Sequence, residues 1–534
     1  MPEIQDTALT QDAQIGQSYD DVIYDKLPHK QGNIRLLETI GDIFGVETVD
    51  IHHCRVLELG TATGKTIIQQ AEEFPDSQFL GIDLSPIQID AGKEFLRSLG
   101  LRNIELRAAN IMDIDESWGQ FDYIISHGVY SWVPTPVQEK MLEICQTNLS
   151  PRGLAMVSYN TYPGWHFKEC ARNLMLLHSK RANEFSDPKT EIQQARAILN
   201  FTAEIAAKQK PSYFTQFIEG MREHIKGVDD HYLFHEYLES ENSPCYFLEF
   251  CRRLQEKGLQ HVSDFDWTNY QTWQKDPQLK SLIESTKNNV ISEQYLDFVI
   301  NRTFRSSVIC RSDLELGMRE DLAERYHVFI PNDCTINEVE ATGTAPASWQ
   351  FTRNTAMEAN LPRGPLVDAV CELFNAKRAE YFTLQDIWNE IAAKSQPQIL
   401  AGKFQRNDLV RIFDQLIRLE VLRTVLHPPT ERQRDPRRPF TRMFTRQMLK
   451  RDAQTVSNSV FEVLKVDPLS AAMMKHFDGR RSISETVTDI QKEMQANRLN
   501  IVKQGVAIRS DQRDKITEIV EEAIVNLQKC RLVV

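Results

Sequence analysis

No stretch of this 534-residue chain approaches the roughly eighteen consecutive apolar residues that a membrane-spanning helix needs, so none of it reads as membrane-inserted. The opening MPEIQDTALTQDAQIGQ is polar and acidic, without the apolar run of a signal peptide, and the expected location is the cytoplasm. Paired cysteines are missing too. Cys54, Cys145, Cys170, Cys245, Cys251, Cys310, Cys334, Cys371 and Cys530 lie far apart with no CxxC among them, which argues for reduced thiols and against a disulfide frame or zinc site. No metal is expected. Positive charge is in deficit: 62 Lys and Arg against 75 Asp and Glu leave a formal net charge of −13. Nucleic acid would be repelled over most of such a surface and is not an expected partner. Residues 431–452 are the local exception, with eight basic against three acidic residues, and read as a solvated linker.

What is present is an ordinary globular balance, 41% hydrophobic and 26% charged, in a length that suggests roughly two to four domains. Short apolar runs alternate with helical stretches through the first third. CRVLELG (54–60), QFLGIDL (78–84), NIELRAANI (103–111), FDYIIS (121–126) and GLAMVSYN (153–160) are strand candidates. KTIIQQAEEF, PIQIDAGKEFLRSLG and VQEKMLEICQTNL are the helices between them, with Pro86 placed to start one. Such alternation implies parallel βαβ units and a Rossmann-like doubly wound α/β sheet over residues 18–164. Residues 165–316 read as a mainly helical domain whose strand candidates, QEKGLQHVSDF (255–265) and RSSVICR (305–311), would complete that sheet. Residues 317–365 read as an irregular connector with a short hairpin around SWQFTR. Residues 366–430 read helix–turn–helix–helix–strand, the order of a winged helix, and 431–534 as the basic linker followed by a helical segment. The winged-helix-like part mixes acids with bases and shows no strongly basic recognition helix, so protein contact is preferred to DNA.

The loop VLELGTATGKT (56–66) carries the chemistry. It fails the dinucleotide pattern GxGxxG, because Ala62 stands where a glycine must let a pyrophosphate approach. It also fails as a phosphate-binding Walker loop, since three residues rather than four separate Gly60 from Gly64. The spacing of Glu58, Gly60 and Gly64 fits an E/DxGxxxG loop for S-adenosylmethionine, whose sulfonium and ammonium tolerate an acidic strand end. A ligand-free turn is the plain alternative. Asp83 at the end of the second strand can receive a ribose diol, and Asn110 after the third can meet an adenine edge. Thr61, Ala62, Leu84, Ile111 and Ser126 complete the expected cofactor contacts at the same strand ends.

His127, Tyr130, Trp132, Asn160 and Tyr162 follow the fourth and fifth strands, where acceptor and methyl group should meet. Aromatic faces there suit an amine, Asn160 could orient it, and His127 could relay its proton. Packing is the competing role for each. Trp165 and His166 read as structural, and Tyr19 and Tyr24 as lid candidates.

FDYIISHGVYSWVP (121–134) and SYNTYPGWH (158–166) resemble the class I bacterial methyltransferases that carry a methyltransferase regulatory domain. The likeness continues in RNLMLLHSK, HEYLESENSPCYFLEF and EQYLDFVINRTFR, covering residues 18–316 and more loosely the rest. Size and order of parts are similar to the bacterial lysine methyltransferases that modify outer-membrane proteins. The resemblance implies N-methylation of lysine side chains in a protein substrate, an outer-membrane or surface protein met before export. A homodimer is a further expectation. Two departures stand out: GTATGKT replaces the more usual GCAxGGN, and YDKLPHKQG replaces a Pro-Tyr-x-Ser pattern. The first spares Glu58, Gly60 and Gly64; the second bears on substrate identity. A small-molecule or natural-product methyltransferase and a non-catalytic, cofactor-binding regulatory protein are the alternatives.

Overall fold

The computed structural model describes residues 27–181, 185, 187–268, 276–286, 288–342, 346–353, 358–394, 405–429, 437–503 and 506–534. Tyr19 and Tyr24, and residues 18–26 of the expected first domain, lie outside them.

Five parallel strands form the heart of the fold: β1 (Arg55–Leu59), β2 (Gln78–Asp83), β3 (Ile104–Ala108), β4 (Phe121–Ser126) and β5 (Leu149–Asn160). Between them run α2 (Lys65–Glu73), α3 (Pro86–Arg97) and α4 (Thr135–Asn148), and α1 (Ile34–Ile43) precedes them. Pro86 occupies the first turn of α3, where its missing N–H costs nothing, and Ser85 caps that helix by accepting from the Gln88 N–H. The central strands are apolar on both faces because helices cover both. Val56, Tyr123, Ile125 and Leu154 point into one core with Ile67 and Ile68 of α2. Their neighbours Leu57, Ile124 and Ala155 point into the other with Met141 and Leu142 of α4. Alternate residues thus serve opposite layers, each large aliphatic contributing about 1.5–3 kcal/mol by burial.

After β5 the chain turns helical: α5 (Trp165–Leu176), α6 (Pro188–Ala206), α7 (Tyr213–Lys226), a short helical stretch at 230–238, and α8 (Phe247–Glu256). The sheet is then completed by β6 (Leu259–Asp264) and, after α9 (Asn289–Ile300), by β7 (Phe304–Arg311). The strand order is β3-β2-β1-β4-β5-β7-β6, with β7 antiparallel to both its neighbours. Buried charge ties this edge to α9. Arg305, wholly buried, donates to Asp264 at 2.7 Å, to Glu293 at 2.9 Å and to Asp297 at 2.9 and 3.0 Å. These cations hold the Asp264 carboxyl well below the usual carboxylate range, whereas burial pushes Asp297 up to about 6. His261, Asp264 and Glu293 stand close enough together to hold a cation, but two of them already share the Arg305 guanidinium.

SWQFTR pairs antiparallel with the next strand, 358–362, as the expected short hairpin requires, and on its other side with 334–339, so that it is the middle strand of a three-stranded sheet. Beyond it come α10 (Pro365–Ala376), α11 (Leu384–Lys394), α12 (Arg406–Arg418) and a short strand, Arg423–Val425, which pairs with the upstream strand His327–Phe329. Leu409, Phe413 and Val425 join the same core as the sheet's first face.

Residues 437–534 correct the expectation of a linker and a plain helical segment. They fold around their own core of Met473, Val487, Ile490, Ile516 and Val520, and include two antiparallel hairpins, 455–465 and 501–508. The basic side chains here cover a folded unit. Residues 431–436 of the expected linker, and residue 430 before them, lie outside the described residues. The unit abuts α2: the Glu72 carboxylate accepts the Met443 and Phe444 N–H groups at 2.6 and 2.9 Å. Gln69 Nε2 donates to the Asn458 carbonyl at 2.7 Å, and Asn33 Nδ2 to that of Ser459 at 3.1 Å. Among the described residues no helix is long and apolar enough to cross a membrane.

Candidate active site

Strand order reverses between β1 and β4, and ligands of doubly wound sheets bind at the carboxyl edge beside that point. A cleft of about 400 Å³ opens there. At its first end β1 runs into a tight turn leading to α2. Gly60 and Gly64 have φ of +70° and +75°, and a Cβ on Gly60 would lie 2.4 Å from Val129. Ala62 also takes a left-handed conformation (φ +51°), unfavourable for a residue with a Cβ. The Asp83 carboxylate holds it there, accepting the Ala62 N–H at 2.7 Å and the Ser85 N–H at 3.0 Å. The Thr61 N–H donates to the Ile82 carbonyl at 2.8 Å, so the turn is laced to the tip of β2.

Of the expected cofactor contacts, Gly60, Ala62, Asp83, Leu84, Asn110 and Ile111 line the cleft. Glu58, Thr61, Gly64 and Ser126 stand behind the lining and shape it. Glu58 is buried and accepts from the Thr61 hydroxyl. Burial pushes its pKa up to about 8, with Asp83 adding to the rise and the Thr61 and Thr66 hydroxyls opposing it. Asn110 Oδ1 accepts the Met112 N–H at 2.9 Å and so fixes the turn after β3. Gln88 was missed by sequence reasoning; it lies one turn into α3 and reaches the same end of the cleft.

The second end of the cleft is aromatic. His127 stacks on His29 with centroids 4.1 Å apart, and the Phe304 ring meets His127 edge-on at 5.9 Å. Trp132 and Trp165 stand at 81° with centroids 6.0 Å apart. Asn160, at the tip of β5, is 2% exposed; its N–H donates to Ser131 Oγ at 2.9 Å. Among the described residues its Nδ2 has no hydrogen-bond partner, and neither does Ser126 Oγ at the tip of β4. Buried donors of that kind cost free energy until a ligand meets them.

Two expected acceptor residues are elsewhere. Tyr130 is completely buried between Tyr159 and Phe250 in the core beneath α4 and α8, and its phenol oxygen accepts from Arg253 at 3.3 Å. Burial drives its pKa well above the ordinary tyrosine value. The short helical turn 130–132 points Trp132 into the cleft and rotates Tyr130 away from it. Tyr162 lies outside the cleft wall; it donates to Glu169 at 2.8 Å and stacks on His166 at 3.9 Å. Trp165, read as structural, lines the cleft, with its indole N–H donated to Asn242 at 2.7 Å. His29 brings the segment YDKLPHKQG into the lining, while sequence reasoning missed Lys168, Tyr232, His235, Glu236 and Phe304 there. Lys168 was within reach of it, three residues after Trp165 and so on the same helix face. Tyr232, His235 and Glu236 share one face of the helical stretch 230–238 by the same spacing, whereas Phe304 comes from the start of β7.

The donor set suits S-adenosylmethionine. A glycine turn with a buried acid behind it, Asp83 and Asn110 offer the ligand carboxylate and amide groups and no phosphate cradle. Comparisons with known proteins agree. Residues 56–153 match the family model of a methyltransferase domain, 229–311 that of a predicted methyltransferase regulatory domain, and 438–532 that of the PKMT C-terminal winged helix domain. The last match falls on the folded unit at the end of the chain, beyond the 366–430 segment where the sequence suggested a winged helix. The uncharacterized protein RP028 of Rickettsia prowazekii is 37% identical over 240 residues, 45% of this chain and 94% of that one. The uncharacterized protein RP789 of the same organism is 29% identical over 501 residues, covering 92% and 89%. The structure of PKMT2 from Rickettsia typhi in complex with AdoHcy superposes with a TM-score of 0.82 at 25% identity, covering 96% of this chain and 99% of that one. The chain belongs to the class I S-adenosylmethionine-dependent methyltransferases that carry a methyltransferase regulatory domain. It is a methyltransferase, and S-adenosylmethionine is its cofactor.

Proposed function

We propose that the chain is a protein methyltransferase that N-methylates lysine side chains, with an outer-membrane or surface protein met before export as its substrate. The observation that carries this reading is the end-to-end likeness to PKMT2, together with the match of residues 438–532 to the PKMT C-terminal winged helix domain. The aromatic second end of the cleft supports it, since ring faces attract an alkylammonium by about 0.5–2 kcal/mol each. S-adenosylmethionine, when bound, supplies a methyl carbon activated by sulfonium. Gly60, Ala62, Asp83 and Asn110 would hold it, with Glu58, Thr61, Gly64 and Ser126 shaping the seat and Leu84 and Ile111 flanking the adenine.

The remaining work is alignment and deprotonation. Asn160 orients the acceptor nitrogen, and Trp132 flanks it while excluding water. A lysine ammonium, with a reference pKa near 10.4, must release a proton first; His127, stacked on His29 at the cleft wall, is placed to pass it outward. Tyr130 and Tyr162 act only through packing. The part through residue 164 binds cofactor and lends His127, Trp132 and Asn160 to the acceptor wall, which 165–316 completes with Trp165, Lys168, Glu236 and Phe304. Residues 317–365 connect, and the units from 366 and 437 onward scaffold the enzyme or contact a second copy.

The test is methyl transfer from labelled S-adenosylmethionine into a cell extract, split into protein and small-molecule fractions. The expected result is label in a protein band that yields methyl-lysine on hydrolysis. Label confined to small molecules would overturn the protein reading, and cofactor binding without any transfer would mark a regulatory protein.

A further inference from the structure

The cleft already holds an alkylammonium. Lys168, in the first turn of α5, lines the second end beside Trp165 and Glu236. Its Nζ lies 4.7 Å from the centroid of the Trp165 ring and donates to Glu236 Oε1 at 2.6 Å. Both charged side chains are largely sequestered, at 20% and 17% exposure. An aromatic face and a carboxylate converging on one ammonium are what a lysine side chain needs when it leaves water. The protein builds the same grouping at Lys30, with Phe265 and Asp266, but outside the cleft. Only the Lys168 group shares its cavity with Gly60, Asp83 and Asn160.

We propose that Trp165 and Glu236 form the subsite for the acceptor ammonium, and that Lys168 occupies it as a stand-in that the incoming side chain displaces. The inference rests on the lysine reading above and deepens it. Exchanging one ammonium for another keeps the charge of the cleft constant, so Glu236 is never left buried and unpaired, the state that makes breaking such a pair costly. Lys168 has somewhere to go: its partial exposure lets a flexible four-carbon stem swing its charge to solvent. An uncharged small molecule could not take Lys168's place without stranding the carboxylate, so the pair also selects for cationic acceptors.

The test titrates propylammonium by calorimetry into the full chain saturated with S-adenosylhomocysteine, so it reads occupancy and not turnover. Lys168→Ala should bind propylammonium at least tenfold more tightly than the wild type, and Glu236→Gln added to it should abolish the gain. Lys168→Gln, which keeps the length of the stem, serves as the second variant and should show the same tightening. Affinity in both Lys168 variants within twofold of the wild type overturns the subsite. Extract labelling with the wild type separates the two ideas: methyl-lysine in the protein fraction would leave the lysine reading standing while the subsite alone fell.

Discussion

Between Gly60 and Asp83 the cleft wall is largely main chain, set by one strand-to-helix turn and the strand beside it. Between Trp132 and Glu236 it is large side chains brought from separate stretches of sequence, with an ion pair among them. In the function proposed above, the first end recognises a ligand every enzyme of this class shares, and backbone geometry suffices for that. The second end must tell one acceptor from another, and side chains are the part of the wall that can change without disturbing the sheet. The two ends should therefore fail separately.

Gly60→Ala strikes the first end hardest, because its Cβ would press on Val129 from a left-handed backbone. We expect affinity for S-adenosylhomocysteine to fall about a hundredfold or more, roughly 2.8 kcal/mol, by calorimetry. A change under about threefold would mean that the turn is not the cofactor seat. Asn160→Ala strikes the second end: turnover should drop by about one to two orders of magnitude while cofactor affinity stays within about threefold. Equal losses in both would erase the distinction between the ends. Asp83→Ala removes the acceptor for the Ala62 and Ser85 N–H groups, and a roughly tenfold to hundredfold loss of cofactor affinity is expected.

Glu58 offers a quieter test. Its pKa of about 8 in the fold exceeds the ordinary 4.5, so the folded state favours the protonated form. Its contribution to stability is full below about 4.5 and is lost as pH rises through about 8. Glu58→Gln cannot ionise, and urea midpoints measured across that window should fall less steeply than those of the wild type. Parallel slopes would place the ionisation elsewhere. The smallest effect is that of Tyr130→Phe, which gives up one long hydrogen bond from Arg253. It should cost no more than about 1.5 kcal/mol by urea unfolding, and a larger loss would show that the phenol oxygen matters more than its contact suggests.

The two ends also differed in how readily they could be read. Glu58, Gly60, Gly64 and Asp83 announce themselves because one turn needs glycine at fixed spacing and one strand must end in a carboxylate. The central strands did so because both their faces are apolar; only β5 begins earlier than its apolar run, where Leu149 pairs with Phe121 across a register shift. Tyr130 and Trp132 sit two residues apart in a turn, and no pattern tells which of them enters the core. Glu236 and Phe304 meet the cleft only through tertiary packing. The terminal winged helix escaped notice because its hairpin strands are three residues each, too short for alternation to register.

The hydrogen bonds that Gln69 and Glu72 make with residues 443, 444 and 458 link the helix behind the glycine turn to a part of the chain that the ribosome makes well after the sheet. A growing polypeptide that has emerged only through β7 owns every cofactor-facing residue but lacks this outer brace on α2. Affinity for the methyl donor should therefore mature late in synthesis, so that an unfinished chain competes poorly for S-adenosylmethionine; a version stopped at residue 429 would show this as weaker binding.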